Sequence, residues 1–226
     1  MDLERCRAKL YPVVENEGDP RFDLAPIQGL PAAAPNEWIE VLRDADSVQR
    51  VLERLWLPSR GLLPETIAEL QKKLRGIGLL ATRFTPFSLV YVFDNKGDPM
   101  FRRGFPSRSV DRPEATVLPA EFLDLYRIHD GWTDMNGFMG PLPSEDWFDL
   151  SYLLDGDYSK IIPGVRLQDF LIICNSGGSE YLGFDMSKTP PLGLICSVLE
   201  PVEVVPDVVR TLDEWMAVDL RDLKPA

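Results

Sequence analysis

Histidine and cysteine are scarce in this 226-residue chain, which has one of the first and three of the second. Zinc sites draw their ligands mainly from these two residue types at close spacing. A lone His129 with Cys6, Cys174 and Cys196 scattered along the chain does not provide such a set. The odd cysteine count also argues against a disulfide framework. Cys174 and Cys196 sit in the aliphatic runs Leu171-Ile172-Ile173-Cys174 and Leu194-Ile195-Cys196. Both read as small buried hydrophobes on strands, a pattern that suits a reducing cytoplasm. Any Ser-His-Asp or Cys-His arrangement would have to use His129, with Asp130 beside it and Cys174 or a serine elsewhere. No local spacing supports that, and a single histidine at a helix end reads as a structural residue.

Long apolar runs are missing too, and none approaches the length of a bilayer span. The start, Met1-Asp2-Leu3-Glu4-Arg5, is charged with no apolar run behind it, so no secretory signal is expected and the location is expected to be cytoplasmic. Positive charge is in short supply: 24 Lys and Arg stand against 36 Asp and Glu, a formal net charge of −12. That field repels phosphate backbones and anionic lipid, so neither nucleic acid nor membrane is an expected partner. It attracts a basic protein and speeds encounter with one, although acidity also serves simply to solubilise a surface.

Enzyme motifs are the third lack. Asn175-Ser176-Gly177-Gly178-Ser179 has neither the Gly-x-Ser-x-Gly elbow nor a Gly-Lys-Ser/Thr ending, and a glycine turn between strands explains it. Asp94, Asn95 and Asp98 lack the ligand alternation and closing glutamate of a calcium loop, and Asp155-Gly156-Asp157 is too short to define a metal site. No cofactor, no metal and no enzymatic activity are expected. A carboxylate-based enzyme stays open as an alternative, because acids are too abundant to be informative.

What is present is an ordinary globular composition, 45% hydrophobic and 27% charged, with 20 prolines mostly between periodic segments. Residues 2–10 suit a short helix stopped by Pro12, and the proline-rich stretch from Pro12 to Pro35 reads as an extended arm. Trp38, Val41, Leu42, Ala45, Val48, Val51, Leu52, Leu55 and Trp56 recur at helical steps, as one bent helix or two short ones. Pro64 opens the next helix, with Ile67, Leu70 and Leu74 on one face and Gly76 and Gly78 ending it. Leu79–Phe84 and Leu89–Phe93 suit strands, the latter leading through the turn at 94–98 to Met100-Phe101. A helix is expected from Leu118 through His129, closed by Gly131, and then an irregular region over 132–164. Strands near 167–174, 180–185, 192–198 and 202–205 precede a last helix from Pro206 to Val218. Helices segregated from consecutive strands predict an α+β fold with a largely antiparallel sheet packed against helices and an N-terminal helical extension. The expected division is an N-terminal arm and helical extension over 1–58 and an α+β domain over 59–226.

One segment carries a resemblance. Leu118-Pro119, Phe122, Tyr126 and Asp130-Gly131-Trp132 are similar to the signature helix of the SUKH superfamily, whose members include toxin-immunity proteins. Phe170-Leu171-Ile172-Ile173, Ser176-Gly177-Gly178 and Tyr181-Leu182-Gly183-Phe184-Asp185 resemble its central hairpin, and Leu212-Asp213-Glu214-Trp215-Met216 its closing helix. The resemblance covers roughly residues 60–220. It implies a non-catalytic protein that binds and neutralises a cognate toxin acting in the cytoplasm, such as a nuclease or an NAD-consuming enzyme, or else a scaffold with another partner. The acidic charge suits occlusion of a basic substrate cleft. The expected partner surface is the loop-rich stretch with Trp132, Asp134, Glu145, Asp146, Trp147, Asp149, Asp155, Asp157 and Tyr158, where aromatic anchors stand among acids. The plainer reading of the same stretch is aromatics packed beneath a loop and solvated carboxylates.

Overall fold

The computed structural model describes residues 2–32, 34–107, 110, 112–137, 139–153, 166–197 and 201–224. Among these residues it is an α+β fold in which six α-helices accompany two antiparallel sheets, one of five strands and one of six.

Helix α1 (Leu3–Leu10) starts where the Asp2 side chain accepts from the Glu4 amide at 3.0 Å, with Glu4 in its first turn and Arg7 and Lys9 in its last. The proline-rich stretch after it is more than an arm. Strand β1 (Arg21–Leu24) pairs with β2 (Leu74–Ala81), and Arg7 fastens α1 to it through the Phe22 carbonyl at 2.9 Å and Asp23 at 2.7 Å. Between these strands lie α2 (Asn36–Leu42), α3 (Ser47–Val51) and α4 (Pro64–Lys73), and α3 continues as a π-helical turn to Trp56. The apolar stripe over 38–56 is thus two short helices with a widened last turn.

The α4 helix does not end at a glycine. Leu74 takes extended geometry and enters β2 directly, so that Gly76 and Gly78 lie inside the strand. A Cβ on Gly78 would sit 2.5 Å from the Asp23 carbonyl oxygen and from the Phe22 ring, so the residue serves the close approach of β1. The hairpin of β3 (Ser88–Asn95) with β4 (Asp98–Phe105) turns on Lys96 and Gly97, at φ 54° and 85°. This is the left-handed pair that a two-residue hairpin demands.

β3 explains its unbroken apolar run by burying both faces. Leu89, Tyr91 and Phe93 face the main core, while Val90 and Val92 join Cys6, Leu10, Val14, Phe22, Leu80, Phe101 and Met135 in a second core. The main core takes Trp38, Val41, Leu42, Val51 and Trp56 together with side chains from the rest of the chain, and the Trp56 indole donates to the Tyr91 hydroxyl at 2.9 Å.

The expected helix over 118–129 stops early. Helix α5 is Ala120–Leu125, and Asp130–Thr133 is strand β5 on the edge of the five-stranded sheet. Gly131 sits at φ 69°, where an added Cβ would lie 2.5 Å from the Pro143 nitrogen, so its role is close packing within a strand and not helix closure. A tight turn carries the chain from β5 to β6 (Met139–Pro141), which belongs to the other sheet. There β6 and β7 (Phe148–Asp149) both pair with β8 (Phe170–Ser176), followed by β9 (Glu180–Asp185), β10 (Leu192–Ser197) and β11 (Glu203–Val205). Helix α6 (Val208–Arg221) closes the core with Val208, Leu212, Met216 and Leu220. Its buried Asp213 accepts from the Glu65 and Thr66 amides at 3.0 and 2.8 Å, capping α4 from a neighbouring element.

Candidate functional site

The turn from β5 to β6 brings the two sheets to the C-terminal end of α6, and a groove opens there. Its deeper part is a cavity of about 330 Å³ walled by Trp132, Met139, Cys174, Trp215 and Met216, with Asn175, Ser176 and Glu180 along one side and Asp219 and Asp222 along the other. A second hollow of about 480 Å³ shares Arg102, Met139, Asp219 and Asp222 with it and extends past Met100, Met135 and Asp134 to Val13. Four methionines, Met100, Met135, Met139 and Met216, therefore line one continuous furrow. Methionine is flexible and polarisable, which suits a surface that must mould to a partner. Val13 and Val218 stand exposed at its borders.

Charge is arranged against the helix. Asp219 lies in the last turn of α6 and Asp222 caps it, where the helix dipole disfavours anions. Asp219 is offset by the buried Arg102 guanidinium, whose Nε donates at 2.8 Å and whose Nη2 also binds the same oxygen. The Glu180 and Asp222 carboxylates have no hydrogen-bonding or ion-pair partner among the described residues. The groove thus sets four acids, Asp134, Glu180, Asp219 and Asp222, against Arg102, whose guanidinium is already engaged, and Lys9 at the far end of the second hollow.

Of the nine residues expected at a partner surface, the structure brings two to this groove. Trp132 is in its wall and Asp134 on its rim, where Asp134 receives the Met139 amide at 3.3 Å. Trp132 is nevertheless a core residue, 2% exposed, and its ring packs edge-on to Trp56 and Tyr91 at centroid distances of 5.5 and 6.1 Å. Its indole N–H has no hydrogen-bond partner among the described residues. Trp147 is no surface anchor either. At 3% exposure it packs on Tyr126 and Phe122 and donates to the Tyr126 hydroxyl at 3.0 Å, because an indole among aromatics is worth more buried than wet. Glu145 and Asp146 are exposed on a 3-10 turn away from the groove, and Asp149 caps the next turn through the Ser151 amide at 3.0 Å. Desolvation by the surrounding chain, with the negative charges of Glu145 and Asp130 nearby, holds the Asp146 carboxyl above its ordinary range. Asp155, Asp157 and Tyr158 lie outside the described residues.

The segment 118–132 that carries the resemblance is built for packing. Phe122 and Tyr126 face the core, the Tyr126 hydroxyl donates to the Leu142 carbonyl at 2.9 Å, and buried Asp130 receives the Ser144 amide and hydroxyl at 2.7 and 3.0 Å. His129 is enclosed by Trp56 and Tyr91, and burial lowers its pKa to about 4. The Cys174 thiol in the cavity wall is pushed far up by burial and stays protonated at neutral pH. The described residues contain no cluster of three His, Cys, Asp or Glu able to hold a metal ion.

Sequence reasoning missed Glu180, Asp219 and Asp222. Ending the last helix at Val218 cut off the two aspartates, although acids at a helix C-terminus are an irregularity visible in the sequence. Compared with known protein families, curated proteins and solved structures, the chain has no match.

Proposed function

We propose that this chain is a binding protein of the toxin-immunity kind, which captures a basic protein partner and neutralises it by covering its active site. The observation that carries the reading is the methionine-lined groove rimmed by Asp134, Glu180, Asp219 and Asp222. Its floor and borders are apolar enough to desolvate a contact, and its surplus of carboxylates selects a cationic one. The net charge of −12 steers the same class of partner from a distance. The resemblance of residues 118–132 and 170–185 to the SUKH superfamily points the same way, toward a cytoplasmic antidote whose partner acts there, for example on nucleic acid or NAD.

Purifying the tagged protein from its own cells tests this. The expected result is a stoichiometric basic polypeptide that is toxic when expressed alone and harmless when expressed with this chain. Neutralisation is expected to survive Glu145→Lys with Asp146→Lys, away from the groove, and to fail with Glu180→Lys and Asp222→Lys. A non-toxic stoichiometric partner would move the reading to a scaffold protein, and catalysis by the purified chain would end it.

A further inference from the structure

The deep end of the groove has a narrower chemistry than general acidity. We infer that the 330 Å³ cavity is a socket for a single arginine side chain presented by the bound polypeptide. The inference rests on the binding reading above and names the contact that reading leaves open.

Three features select the occupant. The walls are aromatic and thioether surfaces, from Trp215, Met139 and Met216, against which a flat, weakly hydrated guanidinium can stack. At the mouth, Glu180 on β9 and Asp222 at the end of α6 face the cavity from opposite elements, and neither has an ion-pair partner among the described residues. Two carboxylates with the negative end of a helix dipole make a field for one cation. A guanidinium, with five donors in a planar fork, satisfies both acids at once, whereas an ammonium is a compact and strongly hydrated charge. The third feature is size. The volume lies at the lower end of the range for small-ligand pockets, roughly 300–1,000 Å³, which suits one side chain and not a folded element. Arg102 does not fill this role itself, since its guanidinium is committed to Asp219.

The probe is the blocked tripeptide acetyl-Gly-Arg-Gly-amide, titrated into the full chain while the five tryptophan indole N–H resonances are followed by NMR. The Trp132 and Trp215 signals are expected to shift saturably, with those of Trp38 and Trp147 as internal references. Glu180→Gln and Asp222→Asn, both on exposed side chains, are each expected to weaken the binding about two- to fivefold. The lysine counterpart is expected to bind more weakly and the glutamate counterpart to leave all five signals in place. Unmoved Trp132 and Trp215 signals at millimolar peptide, or equal shifts with the glutamate peptide, would overturn the socket. A basic partner purified with the chain alongside a silent tripeptide titration would overturn the socket alone. Arginine binding in a chain that captures no basic protein would leave the socket standing and remove the immunity reading.

Discussion

Replacing Asp213 tests whether the two longest-packed helices are held together by a borrowed cap. Helix α4 begins at Pro64 after Leu63, which has no side chain able to satisfy the first amides. The carboxylate of Asp213, 3% exposed on α6, supplies what is missing to Glu65 and Thr66, and its own carbonyl accepts from the Thr66 hydroxyl at 3.2 Å. Asp213→Ala strips two amides of a charged acceptor in a place water reaches poorly. Loss of a cap costs about 0.5–2 kcal/mol and a buried unsatisfied donor about 1–3 kcal/mol, so a loss of about 2–4 kcal/mol is expected. Asp213→Asn keeps one acceptor oxygen without the charge, and about 1–2 kcal/mol is expected. Urea unfolding gives the measurement: a lower midpoint at unchanged slope for both variants, in that order. An alanine variant within about 1 kcal/mol of the parent would refute the reasoning. So would an asparagine variant as damaged as the alanine one.

The remaining predictions concern the other buried polar groups. His129 has a folded pKa of about 4 against an ordinary 6.5, so protonation favours the unfolded chain, and stability should fall by about 3 kcal/mol as pH drops from 6.5 towards 4. His129→Gln should flatten that window in a pH series of urea midpoints. Burial alone would raise the Glu17 carboxyl, but its bonds to Arg103, at 2.5 and 2.8 Å, the charge of that guanidinium and hydrogen bonds from Thr82 and Thr85 together lower it. Its contribution should therefore be complete above pH 4.5 and disappear as pH falls through the lower folded value. Glu17→Ala, which strands a guanidinium only 5% exposed, should cost about 2–3 kcal/mol, below the range for a fully buried pair because Glu17 is 27% exposed. Gly104→Ala would put a Cβ 2.5 Å from the His129 ring and should destabilise by about 1–3 kcal/mol in thermal or urea unfolding.

The legible part of the fold was the part written in short-range periodicity. The α6 stripe of Val208, Leu212 and Met216 and the runs that became β3, β8, β9 and β10 needed only spacing and composition. Strand β1 was hidden because proline and glycine flank it and its partner β2 lies some fifty residues on; its identity is a tertiary fact. The same holds for Asp130-Gly131-Trp132, whose glycine suggested a helix end until Pro143 supplied the neighbour that requires it. At the candidate site, tryptophan in a loop-rich stretch suggested an anchor, but Trp132 and Trp147 found aromatic company inside. Carboxylates from β9, from the β5–β6 turn and from α6 meet only after folding, so no local pattern links Glu180, Asp134 and Asp219.

The sheet margins have a consequence for behaviour in concentrated solution. β1 and β5 bound one sheet, β11 and the pair β6 and β7 bound the other, and among the described residues none of the five exceeds four residues. Pro20 and Pro26 bracket β1, and Pro201 and Pro206 bracket β11. A passing strand finds only a brief row of open amides before a residue with no N–H interrupts it, so edge-to-edge stacking into aggregates has no template to extend along. The prolines that obscured β1 in the sequence, like those around β11, thus shield one margin of each sheet against self-association.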